Sequence, residues 1–576
     1  MLPLYAAPLP PHVTQESQQL QQDHLLRDRQ RQQELQQQML PESDVRLDGS
    51  ITEPPVVFSL QQAETPCFAV HEIVLEGDAA DSFQFVLNQA ITRSGFTSGM
   101  CLGAQGINHI MTLAQNAVIE RGYTTTRILA APQDLKNGVL ILTVIPGRIR
   151  QIRIDTGNAA RTHADRIAVF QNEFPTAAGD ILNLRHLEQG LENLKRIPTA
   201  EADIQIVPAE DTPNASDVVI LWKQRLLPYR LSLSVDDSGS KSTGKYQGGI
   251  TFSADNPLGL SDLFYVSYNH DLGHKADHTD KDGKRTDSGT TGYAAHYSVP
   301  FGHWLWSWNH NYYRYHQAVA GDSENYDYNG KSWNSDIGVS RLLYRDAQRK
   351  THLAAKLWQR EAHSYINDAE IKVQRRRTAG WALNLTHKEY IGNATLDVGV
   401  GYKRGTGMRN SLRAPEEAFG EGTSRMQVIT ADLGLNLPFQ IGAQHFSYDS
   451  TVRAQWNKTP LTPLDKIAIG GRYSVRGFDG ETTLSAERGW YWRNDLAWQY
   501  QAGHQAYLGL DGGHVSGASA RHLVGQSLIG GVIGARGQFK VGGNLHYDVF
   551  IGKPLKKPTH FRTANTAYGF GLNYTF

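Results

Sequence analysis

The sequence predicts a mainly β protein: a transmembrane β-barrel of about 16 strands, preceded by two small α+β units and a polar N-terminal helix. Three observations carry this. The C-terminal three-fifths alternates with period two, one face apolar and aromatic, the other rich in Gly, Asp, Arg and Gln. Ahead of it, two consecutive stretches of about 75–80 residues repeat one order of elements, an internal repeat. The 576 residues include 55 glycines, 25 tyrosines, 19 phenylalanines and 11 tryptophans, yet mean hydropathy is −0.45. No apolar run reaches the ~18 residues of a spanning helix. A barrel keeps its average hydropathy low because lumen-facing residues alternate with lipid-facing ones.

Residues 14–39, "TQESQQLQQDHLLRDRQRQQELQQQM", have no Gly or Pro and read as a helix started by Thr14. Leu20, Leu25, Leu26 and Leu35 give only a thin apolar stripe, so this helix is a solvated arm or sits in a polar environment. Pro41 ends it, and residues 41–66, with Pro54, Pro55 and Pro66, read as an extended linker. "MLPLYAAPLPPHV" has no basic start and has prolines in place of an apolar core, so it is not a signal peptide; on a secretory route the chain would be a mature form.

From Cys67 the texture changes. "CFAVHEIVLEG" reads as one strand ending at Gly77. Ile107, Ile110, Met111, Ala114 and Val118 have helical spacing and stop before Gly122. "TTTRILAAP" and "GVLILTVIPGRI" read as strands, which completes a unit over 67–147. "RIRQIRID", "LNLRHLEQGLENLKRI", "EADIQIVPA" and "SDVVILWKQ" then give strand, helix, strand, strand over 148–225. Cys67 and Cys101 make a disulfide in an oxidising compartment or two inert thiols in a reducing one.

Residues 226–576 show little helical pattern. In "TLDVGVGY", Leu396, Val398, Val400 and Tyr402 share a face opposite Asp397, Gly399 and Gly401. In "FSYDSTVRAQW", Phe446, Tyr448, Val452 and Trp456 oppose Asp449, Thr451, Arg453 and Gln455. Trp304, Trp306 and Trp308 line up as an interfacial girdle would. The last strand, "AYGFGLNYTF", puts Tyr568, Phe570, Leu572, Tyr574 and Phe576 on one face; free in water it would be a sticky edge, whereas a barrel pairs its last strand with its first. About 350 residues at roughly 20–22 per strand and connection accommodate about 16 strands.

Composition and motifs exclude several functions. Lys+Arg and Asp+Glu both number 57, a zero net charge that argues against nucleic acid as a partner. No nucleophile elbow, zinc signature or nucleotide motif occurs, so neither an enzyme nor a cofactor is expected. His270, Asp271, His274, Asp277 and His278 could in principle hold a cation, but they fall in the polar stretch 269–290 and read as a solvated loop, not a metal site. "GGVIGARG" (530–537) has suggestive glycines but no following helix, so it is strand texture.

In order along the chain, "PCFAVHEIVLEG", "LNLRHLEQGLENLKRI" and "VRGF" (Val475, Arg476, Gly477, Phe478) resemble the outer-membrane transporters of two-partner secretion, the TpsB family. These are relatives of the filamentous haemagglutinin and haemolysin exporters, and the likeness is closest to the CdiB transporters. The resemblance implies a plug helix at 1–40, a linker at 41–66, POTRA domains at 67–147 and 148–225, and the barrel at 226–576. It implies that VRGF tips a loop folded back into the barrel, with Arg476 paired to Asp511 of "YLGLDGGH", whose lumen face also carries Gly509 and Gly513. With the repeat units in the periplasm, Cys67 and Cys101 would form a disulfide, two free buried thiols being the alternative. The implied partners are an unfolded exoprotein of the TpsA/CdiA-like kind, outer-membrane lipid, and the barrel-assembly machinery acting through C-terminal Phe576. A haemolysin or adhesin exporter, a barrel-assembly-type insertase, a diffusion porin and an outer-membrane enzyme are the other readings. Two repeat units rather than a longer array argue against the insertase, and their presence argues against the porin.

Overall fold

The computed structural model describes residues 11–40, 43–47, 59–62, 64–155, 172–275, 279, 283, 286–320 and 325–576. The N-terminal helix runs Pro11–Met39. It therefore starts before Thr14, with Pro11 at the first position, where proline's missing N–H costs nothing.

The first α+β unit holds a three-stranded sheet in which Glu72–Gly77 runs parallel to Val139–Ile145 and Arg127–Leu129 runs antiparallel to it. "CFAVHEIVLEG" is not one strand. It breaks at His71: Phe68–Val70 pairs instead with Met100–Leu102, while the N–H groups of His71 and Glu72 both turn to the Gly138 carbonyl oxygen. Helices Gln84–Ser94 and Ala104–Glu120 cover the sheet around a core that includes Phe83, Ile110, Leu140 and Leu142. The first of these helices has no counterpart in the sequence reading; Gly95, at φ +70°, ends it in the left-handed conformation glycine favours.

Cys67 and Cys101 are disulfide-bonded, with Cα atoms 5.3 Å apart. The bridge ties the strand pair Phe68–Val70 and Met100–Leu102 across a separation of 34 residues. Replacing both cysteines with serine is expected to destabilise this unit by about 2–4 kcal/mol. The urea midpoint of the wild type with and without reductant, beside that of the variant, checks it. Neither cysteine should label in denaturant until reduced.

The second unit repeats the sheet logic: Arg148–Asp155 parallel to Ala215–Gln224, Ala200–Pro208 antiparallel to it, and helix Leu184–Lys195 packed across. Asn183 caps that helix through its side chain.

From Tyr229 the chain closes into an antiparallel barrel. Among the described residues seventeen strands make the ladder, one being the two-residue hook Ala369–Glu370, so sixteen form the wall. The last, Ala567–Thr575, pairs with the first, Tyr229–Asp236, from Gly571↔Asp236 to Thr575↔Ser232. Trp304, Trp306 and Trp308 are exposed on the outside, as are Val398, Val400, Trp456, Tyr568 and Leu572. The first strand starts beside the second α+β unit, so turns after even-numbered strands lie at that end and loops after odd-numbered strands at the other. The loop 458–487 follows the eleventh strand, Gln444–Asn457, and thus starts at the far end.

Candidate functional site in the barrel lumen

Two elements fill the lumen. One is the helix Pro11–Met39, about 43 Å long at 1.5 Å per residue, more than the ~30 Å of a bilayer's hydrocarbon core. The side chains it buries are mostly polar: Ser17, Gln21, His24, Asp28 and Gln32, at spacings of three and four that put them on one face. The barrel's inner wall and the short turn Lys372–Gln374 between two of its strands supply matching groups. Gln21 donates to Ser364 Oγ (2.9 Å), Gln374 donates to Ser17 Oγ (2.8 Å), and the Tyr328 hydroxyl donates to the Ser17 carbonyl (2.8 Å). The His24 ring stacks on Tyr315 at 4.1 Å. Toward the other end Gln36 donates to Asn309 (3.0 Å) and Asn573 donates to Gln38 (2.8 Å). A helix with little apolar surface is stable here because a wet, polar-walled barrel is its environment.

The second element is the loop 458–487. Its short hairpin, Ile467–Ile469 with Leu484–Ala486, buries Val475 and Phe478 with Leu528 and Phe561. The tip meets the wall with all four VRGF residues. Val475 is fully buried, and Phe478 packs edge-on against Phe561 at 5.7 Å. Gly477, at φ +94°, lies where a Cβ would come within 2.6 Å of the Lys553 carbonyl oxygen. Arg476 donates from Nε to Asp511 Oδ2 (2.7 Å) and from Nη2 to Asp511 Oδ1 (2.8 Å), while its backbone N–H also donates to Asp511 Oδ2 (2.9 Å). The bidentate fork fixes the tip's orientation as well as its charge balance. A Cβ on Gly513 would come within 2.9 Å of Val475, so the partner strand is shaped for the tip.

Sequence reasoning missed a second carboxylate. Arg476 Nη2 also donates to Asp495 Oδ1 (2.5 Å). Asp495 and Asp449 are then linked by Arg536, at 3.4 and 3.0 Å, so the tip joins a chain of alternating charges along the inner wall. Alternation could have found Asp495: Trp490, Trp492, Leu496 and Trp498 face out, which puts Asp495 and Ala497 inside. It also missed what the "GGVIGARG" glycines do. A Cβ on Gly530 would come within 1.8 Å of the Arg476 carbonyl oxygen, so only a bare backbone lets the tip reach the wall.

Loop and helix also hold each other. Tyr473 donates to Glu34 (2.8 Å), Arg27 donates to the Gly480 carbonyl (2.6 Å), and Gln22 donates to Ser485 (2.8 Å).

The histidine-rich stretch is not all solvated loop. Asp271 is buried at the end of strand Leu263–Asp271, accepting from Thr290 N (3.0 Å) with Lys275 Nζ at 3.1 Å. The His270 ring nitrogen sits 2.6 Å from the Asp271 carbonyl oxygen, and His274 packs near Tyr246. Asp277 and His278 lie outside the described residues. Among the described residues no group of three or more His, Cys, Asp or Glu is placed to hold a metal ion.

At the near mouth, Glu188 and Glu192 of helix Leu184–Lys195 face the barrel rim. Arg345 donates to Glu188 (2.9 Å) and Glu192 (2.9 Å), and Lys350 also reaches Glu192. Burial pushes the Glu192 carboxyl up, but Arg345 and Lys350 outweigh it and hold the group below the usual range.

A closed barrel whose lumen holds a polar helix and an inward loop, with two α+β units at one mouth, defines an outer-membrane transporter carrying POTRA domains in the periplasm. Residues 68–147 match the ShlB-type POTRA domain and residues 148–208 a further POTRA domain. Residues 214–537 match the family described as haemolysin secretion/activation protein ShlB/FhaC/HecB, and the chain belongs to that family, the transporters of two-partner secretion. It is 36% identical to outer membrane transporter CdiB-2 of Burkholderia pseudomallei (strain 1026b), over 91% of this chain and 88% of that one. It is 25% identical to the haemolysin transporter protein HpmB of Proteus mirabilis, over 72% of this chain and 71% of that one. Among solved structures, CdiB from Acinetobacter baumannii superposes with a TM-score of 0.81 at 31% identity, covering 96% of this chain and 98% of that one. CdiB from Escherichia coli shares the fold, with a TM-score of 0.78 at 24% identity over 99% and 100% of the two chains. The protein is thus an outer-membrane transporter that exports a partner exoprotein.

Proposed function

We propose that the exported partner is a CdiA-like toxin of contact-dependent growth inhibition, and that the helix Pro11–Met39 is a removable plug in its path. The likeness to CdiB transporters supports the cargo, and the observation that carries the plug is the helix's polar face, met mostly by polar groups along the lumen. Water can replace those contacts when the helix leaves, and the apolar surface stranded lies chiefly in two places, where Leu20 packs on the cluster of Tyr313, Tyr315 and Tyr328 and where Leu25 is buried with Ala362 and Leu464. The Arg476 tip, on Asp511 and Asp495, is the second lumen element and stays on the wall as a guide or yields in its turn. The POTRA domains 67–147 and 148–225 take the partner's N-terminal secretion domain in extended form, along sheet edges and helix grooves. Export draws on binding and on folding of the cargo outside the cell. Phe576, exposed at the barrel's end with its N–H on the Leu231 carbonyl, is the aromatic terminus offered to the assembly machinery, and the tryptophan face meets lipid.

Co-expression with a CdiA-like exoprotein tests the cargo. Its secretion domain should become protease-accessible on whole cells only when the transporter is present. Export of a haemolysin-type partner with no CdiA-like export would reassign the cargo.

A further inference from the structure

Just past the lumen helix, residues 43–47 lie on the second POTRA unit. Val45 N donates to Glu192 Oε1 (2.9 Å), Leu47 N donates to Glu188 Oε1 (2.9 Å), and the Val45 carbonyl accepts from Arg345. The side chains alternate. Val45 is buried in the domain's core cluster with Leu47 packed on it, whereas Asp44 turns to Lys350 Nζ (2.5 Å) and Arg46 stacks 4.1 Å over Tyr390. Glu188 and Glu192 are one helical turn apart, a rise of about 6 Å. Two residues of extended chain advance about 6.6 Å. The helix face is therefore spaced to accept the N–H of every second residue of an extended strand, over an apolar floor. That is a peptide-recognition groove, here filled in cis.

The groove also restrains the helix. Four chain steps from Met39 to Ser43 span at most about 14 Å. A ~43 Å helix cannot clear the lumen while 43–47 stay seated. Emptying the lumen vacates the groove and leaves Glu188 and Glu192 without the two N–H groups they hold.

We propose that this groove is a docking site for an extended segment of the exported chain carrying two apolar side chains two residues apart, and that residues 43–47 occupy it until the lumen helix leaves. The proposal rests on the plug reading and on the reading that the POTRA units take the partner in extended form. The occupant follows from the place: Arg345 and Lys350 belong to the barrel rim, so the groove lines the mouth that an unfolded exported chain enters. Its own occupant states the chemistry required.

The probe is a labelled, end-blocked peptide, Ser-Asp-Val-Arg-Leu, titrated against the full-length transporter in detergent. The cis copy competes at millimolar effective concentration, so the wild type should bind weakly. The double variant Val45→Asp/Leu47→Asp, with its groove intact, should bind at least about tenfold more tightly. A peptide with aspartate in place of its valine and leucine should bind neither protein. Equal binding to wild type and variant, or none to either, overturns the docking site. Removal of residues 1–40 tests the plug separately. If that deletion raises conductance while the variant binds no peptide, the plug stands and the groove falls. If the variant binds peptide but its channel opens no more often than wild type, the restraint on the helix falls.

Discussion

Arg476→Ala is expected to abolish most export while leaving the barrel assembled. The guanidinium answers two carboxylates at once, Asp511 at 2.7 Å and Asp495 at 2.5 Å, and Asp511 is 1% exposed. Removing the cation leaves two like charges facing each other in a confined space, a loss of about 3–5 kcal/mol for a buried pair. That moves the balance between seated and unseated loop by a factor of roughly 10² or more. None of the sixteen wall strands depends on the contact for pairing, so heat-modifiable mobility in a detergent gel should stay wild-type. Arg476→Lys should recover only part of the activity, since an ammonium cannot make the two-pronged contact. Gly530→Val gives an independent check. It leaves every charge in place but fills the space that the Arg476 carbonyl needs, so it should phenocopy the alanine variant. Surface-exposed cargo, quantified on whole cells, is the readout; wild-type export by both Arg476→Ala and Gly530→Val would remove the seated tip from the mechanism.

What the sequence made legible follows from period and parity. Alternation over residues such as Leu396 to Tyr402 gives both a strand and its lipid face, and the aromatic last strand requires a first strand to pair with. The polarity of residues 14–39 tells what environment the helix needs but not where that environment is; the barrel supplies it, through Ser364 and Tyr328 on its wall and Gln374 in the turn between two strands. Asp495 was readable by parity from its tryptophan neighbours, yet nothing local ties it to Arg476, 19 residues before it in the chain. Gly530 is less legible still. Its role is an absence of side chain, set by a loop tip that arrives from 54 residues earlier, and no local pattern separates it from an ordinary strand glycine. The break at His71 left a trace that the single-strand reading passed over: polar His71 and Glu72 stand together, and the buried positions change parity from Val70 to Ile73 and Leu75, where two different partner strands divide the stretch.

Removing residues 1–40 is expected to raise single-channel conductance in planar bilayers severalfold, because a helix about 10 Å across leaves a lumen that a sixteen-stranded wall makes wide enough for water. The barrel should survive the deletion. Among the described residues the helix pairs with no strand, and most of the groups it abandons, such as Ser364, Gln374, Asn309 and Asn573, are polar groups that water can satisfy. The rise should be partial, since the loop 458–487 keeps its own hold on Asp511 and Asp495; adding Arg476→Ala to the deletion should open the channel further. A converse experiment pins the helix instead of removing it. The side chains of Gln36 and Asn309 meet at 3.0 Å between their end atoms, so Gln36→Cys with Asn309→Cys, joined by a reducible bis-thiol crosslinker that spans the shorter side chains, should tie the helix to the wall. Export should then stop, and return on reduction, with reductant on wild-type cells controlling for the Cys67–Cys101 bridge. The two experiments bind the argument from both sides. A conductance indifferent to the deletion means the helix does not limit the lumen, and export through a barrel whose helix is covalently pinned means the cargo travels by a path the helix does not close.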